Sequence, residues 1–377
     1  MKKSTKILHT GNEVDPVTGA VSYPIYQVST FHQDGLENDG AYEYSRSANP
    51  TRNTLENILT KLENGYRAFA FASGMATISS IFLLFSPGDH LLVTSDVYGG
   101  TYRALTGLFQ RLGIETTFID TTIPENIERN IKDNTRAIYL ESPSNPLLKI
   151  TNIRQTVQLA QTYNLLTIMD NTFMTPYFQR PLELGIDIVI HSATKYLGGH
   201  SDLIIGAACV NCENLASRIK FLQNTFGAIA APQDCWLLMR GIKTLKVRME
   251  QHQESARALA AWLNEHSYVN EVYYPSLIQN PGHQIHQEQA DGDGGIISFR
   301  LQSSTKARNM LENVRIPVLA TSLGAVESII TYPCTMSHDS IPIDIREQMG
   351  IGEDLVRLSV GLEAPEDLIA DLEQALK

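Results

Sequence analysis

Seven short apolar runs recur between residues 67 and 210: "RAFAFAS", "HLLVTS", "IETTFID", "RAIYLES", "LLTIMDN", "IDIVIHS" and "LIIGAACV". Segments with the i, i+3, i+4 spacing of amphipathic helices separate most of them. Apolar runs of this length predict strands buried on both faces, and their alternation with helices predicts one mostly parallel seven-stranded sheet in an α/β fold. From Ala231, "APQDCWLLMRGIKTLKVRMEQHQESARALAAWLNEH" keeps helical spacing beyond the length of an ordinary globular helix, which predicts a link between two domains. After it, "NEVYYPS", "GGIISFRLQ", "ESIITYP" and "LVRLSVGLE" alternate with "STKARNMLENV" and "APEDLIADLEQALK", the pattern of a smaller C-terminal α/β domain. Residues 1–50 carry much Pro, Gly, Tyr and Asn and no sustained period, so they read as an extended arm. The expected division is an arm over 1–50, a large domain over 51–235 and a small domain over 236–377.

Composition narrows the partners. A chain of 377 residues, 43% of them hydrophobic, is long enough for two cores. Its 30 basic and 41 acidic residues give a net charge of -11, which repels phosphodiester backbones and anionic membrane surfaces. Neither nucleic acid nor a membrane is an expected partner. The N-terminal "MKKSTKILHTGNEV" turns polar before any apolar run long enough for a signal peptide, and no stretch reaches the length of a membrane span. A cytoplasmic location is the expectation. Cys209, Cys212, Cys235 and Cys334 form no disulfide framework, and "CVNC" has no second pair to complete a zinc site. They read as structural or incidental thiols, and no metal is expected.

In open α/β sheets ligands bind beyond the carboxyl ends of the strands, so the polar residues that end each apolar run deserve inspection. In "FASGMAT", Gly74 and Met75 open a helix whose free N–H groups and dipole suit a phosphate. "LLTIMDN" ends in Asp170, a carboxylate whose burial is costly without a cationic partner. No His or Glu stands beside it at metal-ligand spacing, and a protonated ring nitrogen would suit it. "HSATKYLGGHSD" adds Lys195, flanked by the hydroxyls of Ser192 and Thr194 and by Gly198 and Gly199, which let backbone approach closely. A lysine taken alone is usually a solvated charge, whereas burial favours the neutral, nucleophilic amine that Schiff-base chemistry needs. A phosphate holder, an acid for a ring nitrogen and an amine for an aldehyde are together the handles of pyridoxal 5'-phosphate, PLP.

With "YSRSANPTRNTLE", "YGGTYR", "ESPSNP", "TSLGAVES" and "RLSVGLE" in order along nearly the whole chain, the sequence resembles the Cys/Met-metabolism family of PLP enzymes. That family includes cystathionine γ-lyases, γ-synthases and β-lyases, and in pattern the chain is similar to the first two. The resemblance implies the PLP-dependent transferase fold of the aspartate aminotransferase type, fold type I. It implies that Lys195 joins the cofactor's aldehyde, that Asp170 faces the pyridine nitrogen, and that Gly74, Met75, Ser192 and Thr194 contact the phosphate. Tyr98 is then the aromatic residue stacked on the ring. Tyr44 and Arg46 reach the phosphate of a neighbouring subunit, which implies a homo-oligomer with shared sites, in this family a tetramer. Arg357 grips the substrate α-carboxylate, while Asn145 and Ser322 are neighbours of the substrate and of Lys195. Glu327 accompanies enzymes that act at Cγ, where it would stand near the ε-amine.

The implied reaction is α,γ-elimination from L-cystathionine to cysteine, 2-oxobutanoate and ammonia, with Lys195 as the base. The alternatives are a γ-synthase joining cysteine to an O-acylhomoserine, and a β-lyase. A PLP-binding scaffold or regulator is disfavoured because the catalytic set looks complete and no DNA-binding segment is apparent. Three positions depart from the pattern or narrow it. Ala325 stands where Gly is frequent, Asp339 where Ala is expected, and Gly100 where methionine γ-lyases tend to carry Cys.

Overall fold

The computed structural model of the chain describes residues 2–9, 14–15, 17–36 and 40–377. All seven apolar runs become strands of one sheet: β1 (Arg67–Phe71), β2 (His90–Thr94), β3 (Glu115–Ile119), β4 (Thr135–Glu141), β5 (Leu166–Asp170), β6 (Ile188–His191) and β7 (Gly206–Val210). Their order is β1-β7-β6-β5-β4-β2-β3. Strands β2 to β6 pair in parallel, while β7 runs antiparallel to both β6 and β1. A parallel return requires a crossover, usually a helix. Residues 192–205 contain no helix, so the chain leaves β6 through a turn and comes back antiparallel.

The two-residue period sorts the faces of the sheet. In β1, Ala68 and Ala70 pack with Leu55 and Leu59 of the helix Pro50–Leu62. Phe69 and Phe71 point the other way, onto Ile78, Ile81 and Phe82 of the helix Gly74–Phe82. Both faces are therefore covered, as continuous apolar strands demand.

The long helical segment after Ala231 is two helices, Pro232–Ile242 and Leu245–Glu265, rather than one. Its break has a local cause. The Gly241 carbonyl, which a continuous helix would give to the N–H of Leu245, accepts instead from Arg248 Nη2 at 2.8 Å and from Thr244 N at 3.2 Å. A second sheet follows, with β8 (Val269–Tyr273), β9 (Ile296–Leu301), β10 (Val318–Leu319), β11 (Ile329–Thr331) and β12 (Leu355–Ser359) in the order β10-β11-β12-β9-β8. Its core gathers Leu259, Leu263, Phe299, Leu358 and Leu372. Strand β10 was not expected, because two exposed residues carry no period.

The arm is not uniformly extended. A helix, Lys3–His9, buries Ile7 in the first core, and part of the arm lies outside the described residues. Among the described residues no helix is long and apolar enough to cross a membrane. Cys209, Cys235 and Cys334 are buried, Cys212 is exposed, and no described group of side chains could hold a metal ion.

Candidate active site

The carboxyl ends of β4, β5 and β6 open into a cavity of about 440 Å³, closed on its far side by residues of the second sheet's unit. The turn after β6 carries Lys195. Ser192 O accepts the Lys195 N–H at 3.1 Å, and the Gly199 N–H closes the turn on Lys195 O at 2.8 Å. Gly199 stands at φ +80°, which only glycine adopts without strain. Lys195 Nζ donates to Ser322 Oγ at 2.6 Å. Burial, aided by the nearby Arg357 guanidinium, pushes the amine's pKa down to about 8, so the neutral amine is far easier to reach near neutrality than in an exposed lysine.

Ser322 is held at φ +100°, a strained conformation for a residue with a side chain. In it the hydroxyl reaches Lys195 while the carbonyl accepts from Arg357 Nη2 at 2.7 Å. Arg357, central in β12, is 2% exposed. Its Nη1 donates to Asn145 Oδ1 at 2.9 Å, its Nη2 also to Thr331 Oγ1 at 3.2 Å, and its Nε is buried with no partner. Among the described residues no carboxylate pairs with this cation, which is aimed into the cavity with an edge still to satisfy.

Asp170 ends β5, buried and, among the described residues, hydrogen-bonded to the N–H and hydroxyl of Thr172, at 3.0 and 2.5 Å. Burial raises its pKa, outweighing the Thr172 hydrogen bonds and the nearby His191 that act to lower it. Directly opposite it in register is Glu141, the last residue of β4. Glu141 lines the same cavity and accepts the Tyr98 N–H at 3.0 Å. Burial first, and then Asp170, hold its carboxyl well above the usual range. Tyr98 is 39% exposed at the cavity wall, where its ring can cover one face of a planar ligand.

Gly74, Met75, Ser192 and Thr194 also line the cavity. Ser73 caps the helix by accepting the Ala76 N–H at 2.9 Å, leaving the N–H groups of Gly74 and Met75 outside the helical ladder. A Cβ on Gly74 would come within 2.8 Å of Ser192 Oγ and Cβ, so only glycine lets the start of the helix pack this closely beside the Ser192 hydroxyl. The Thr194 hydroxyl already exchanges hydrogen bonds with the Ile205 backbone at 3.0 and 3.1 Å and keeps one lone pair and its position on the wall.

Four residues named from sequence are not brought to this cavity. Tyr44 and Arg46 are exposed; Arg46 lies over the Tyr44 ring at 5.6 Å and donates to Asn224 O at 2.9 Å. Glu327 is exposed and does not line the cavity, so the expected approach to the ε-amine is not made within the chain, and Ser322 takes that place. Asp339 is likewise exposed and off the wall, whereas Ala325 is buried.

Three residues were missed. Glu141 ends an apolar run as Asp170 does, so the same inspection of strand ends would have found it. Arg103, at the end of "YGGTYR", lines the mouth, but an exposed arginine carries no signal in sequence. His338 is buried, with Nε2 donating to Asn145 O at 3.1 Å and burial pushing its pKa down to about 3, so it braces the loop as a neutral ring.

This donor set suits PLP. Among the described residues Asp170 is a buried carboxylate in no ion pair, and the N–H groups of Gly74 and Met75 lie beside the Ser192 hydroxyl, against which Gly74 packs closely. An amine stands between them and Arg357. With this pocket at the strand ends of a mostly parallel sheet, the protein is a PLP-dependent enzyme of fold type I.

The family described as Cys/Met metabolism PLP-dependent enzyme matches residues 4–377, and the chain belongs to it. The chain is 53% identical over 373 residues, 99% of its length and 96% of the relative's, to cystathionine beta-lyase MetC of Bacillus subtilis. It is 50% identical over 377 residues, 100% of both chains, to a cystathionine gamma-lyase of the same organism. The crystal structure of cystathionine gamma-lyase from Lactobacillus plantarum complexed with L-serine superposes with a TM-score of 0.98 at 47% identity, covering 100% of this chain and 98% of that one.

Proposed function

We propose that the protein cleaves the γ carbon–sulfur bond of L-cystathionine, releasing cysteine, 2-oxobutanoate and ammonia. The observation that carries this reading is one cavity lined by Lys195, Asp170, Tyr98 and Arg357. PLP, when bound, supplies an electron sink for negative charge developing at the substrate's Cα.

Asp170 accepts a hydrogen bond from the protonated ring nitrogen, which offsets the cost of its own burial. The N–H groups of Gly74 and Met75 and the Ser192 hydroxyl would hold the phosphate, with Thr194 joining them once its hydroxyl proton turns from Ile205 O. Tyr98 covers the ring, and Glu141 holds the backbone of that tyrosine in place. Arg357 grips the α-carboxylate with the edge carrying its unpartnered Nε, while Asn145 and the Ser322 carbonyl keep the guanidinium plane from turning. Lys195 would be the base that takes a proton from Cα. Sulfur can leave Cγ only after a second proton leaves Cβ, and the flexible stem of Lys195 reaches both carbons. Arg103 at the mouth favours a substrate with a second carboxylate at its far end, which cystathionine has.

Tyr44 and Arg46 complete the phosphate site of a neighbouring copy, consistent with their exposure outside the cavity of their own chain. The assembly is then a homo-oligomer, a tetramer on the family pattern. A second reading, α,β-elimination to homocysteine and pyruvate, is favoured by the 53% identical β-lyase. Incubating the pure protein with cystathionine and identifying the keto acid and thiol tests both. 2-Oxobutanoate with cysteine is expected; pyruvate with homocysteine as the sole products overturns the γ reading. Net synthesis of cystathionine from an O-acylhomoserine and cysteine, without cleavage, overturns the lyase reading altogether.

A further inference from the structure

We propose that Arg248 is the positioning residue for Lys195: by gripping the carbonyls of Tyr196 and Leu197 it determines where the ε-amine stands, on the reading that Lys195 holds the cofactor. Arg248 rises from the first turn of the helix Leu245–Glu265 and is 3% exposed. Its Nη1 donates to Tyr196 O at 2.6 Å, and its Nη2 to Gly241 O at 2.8 Å and to Leu197 O at 3.4 Å. Its Nε donates to Thr244 Oγ1 at 3.1 Å. Among the described residues no carboxylate pairs with it, so a full cation is buried against carbonyls and one hydroxyl.

Burying an unpaired guanidinium is costly, and an apolar side chain of similar length would fill the same space without that cost. What the guanidinium adds is geometry. Its planar fork addresses two successive carbonyls of the turn that begins at Lys195, which a flexible or single-pronged side chain cannot do. The turn is built around it: a Cβ on Gly199 would lie 2.2 Å from Arg248 Nη1, so the guanidinium occupies the volume left by that glycine. The neighbouring helix adds a second close contact, since a Cβ on Gly241 would lie 2.4 Å from Gly198 O.

The clamp also registers the turn against the loop that carries Ser322. Val326 N donates to Gly199 O at 2.9 Å, and a Cβ on Gly324 would lie 2.7 Å from Tyr196 N. Three connections thus meet at one turn: Arg248 on its carbonyls, Val326 on its last residue, and Ser322 on its amine. Losing Arg248 frees the turn to shift relative to Ser322, and the amine shifts with it. A displacement of about 1 Å in a reacting group can cost about a hundredfold in rate.

The test compares the PLP-loaded wild type with Arg248→Lys and Arg248→Met. Four quantities are read: kcat and KM on cystathionine, the pH midpoint of the visible absorbance, and the melting temperature. Arg248→Met is expected to lower kcat about tenfold or more with KM changed less than about threefold, and to move the absorbance midpoint by about one pH unit. Arg248→Lys, with one prong able to reach Tyr196 O, is expected to recover part of both effects. Asp170, Glu141, Arg103, Arg357 and Tyr98 line the cavity around Lys195 unchanged in both variants, and Arg248→Lys keeps the positive charge that Arg248→Met removes, so a midpoint shift in the Lys variant reads the amine's position rather than a change of charge. Wild-type kcat and midpoint in both variants, with only the melting temperature lowered, would make Arg248 a scaffold residue and overturn the proposal. Should the Met variant fail to fold, the Lys variant decides by the same criteria. Loss of the visible absorbance in Lys195→Ala, measured alongside, tests the Lys195 reading by itself.

Discussion

Among the described residues several ionisable groups are buried in no ion pair, and the roles argued for them follow from that imbalance. Arg357 has an idle Nε, and Asp170 and Glu141 face one another across adjacent strands. For Glu141 the imbalance has a sign that can be measured. Burial holds its carboxyl well above the usual range, so the native state binds its proton more tightly than the unfolded chain does. Its contribution to stability is therefore full in acid and is lost as pH rises above about 4.3, the unfolded value, toward and through the raised native one. Glu141→Gln keeps a carbonyl to accept the Tyr98 N–H and has no proton to lose. Its melting temperature relative to wild type, at equal cofactor loading, is expected to improve as pH goes from about 5 to about 8. A difference that is flat or shrinks over that range contradicts the assignment. Lys195, Asp170 and Arg357 were legible at this scale because each sits in a motif at a strand end or within a strand. Glu327 misled because a motif position says nothing about which way a side chain leaves a loop.

At the scale of elements, the strands of the large sheet were legible because continuous apolar runs have few other uses in a soluble chain. The helix break at Lys243–Thr244 was not, because its cause is the Gly241 carbonyl turning to the Arg248 side chain and to Thr244 N, bonds that leave no Pro in the sequence to mark them. Nor was the antiparallel β7, which depends on the connection after β6 being a turn. That turn is tightly specified. Gly199→Ala would force a Cβ into a left-handed conformation and against the Arg248 guanidinium, 2.2 Å away. A cost of about 1–3 kcal/mol is expected in denaturant unfolding. An unchanged midpoint would show that the turn and the guanidinium are free to move apart.

For the whole molecule, the cavity draws its walls from both sheets' units, and no described residue of the arm lines the cavity of its own chain. Tyr44 and Arg46 stand exposed on a segment with little core of its own, so the account requires a second copy to use them. Mixing Arg46→Ala with Lys195→Ala chains is expected to restore activity that neither variant has alone, since one composite site per mixed pair would be intact. No recovery in verified heterodimers would assign the arm to its own subunit.

The central claim is that this cavity holds PLP through Lys195, and one measurement addresses it directly. Reducing the holoenzyme with borohydride, digesting it and mapping the modified peptide reads the attachment point without reference to any substrate. The account predicts a single cofactor adduct on Lys195, within "HSATKYLGGHSD". An adduct on any other lysine, or cofactor that washes away unattached after reduction, would contradict it.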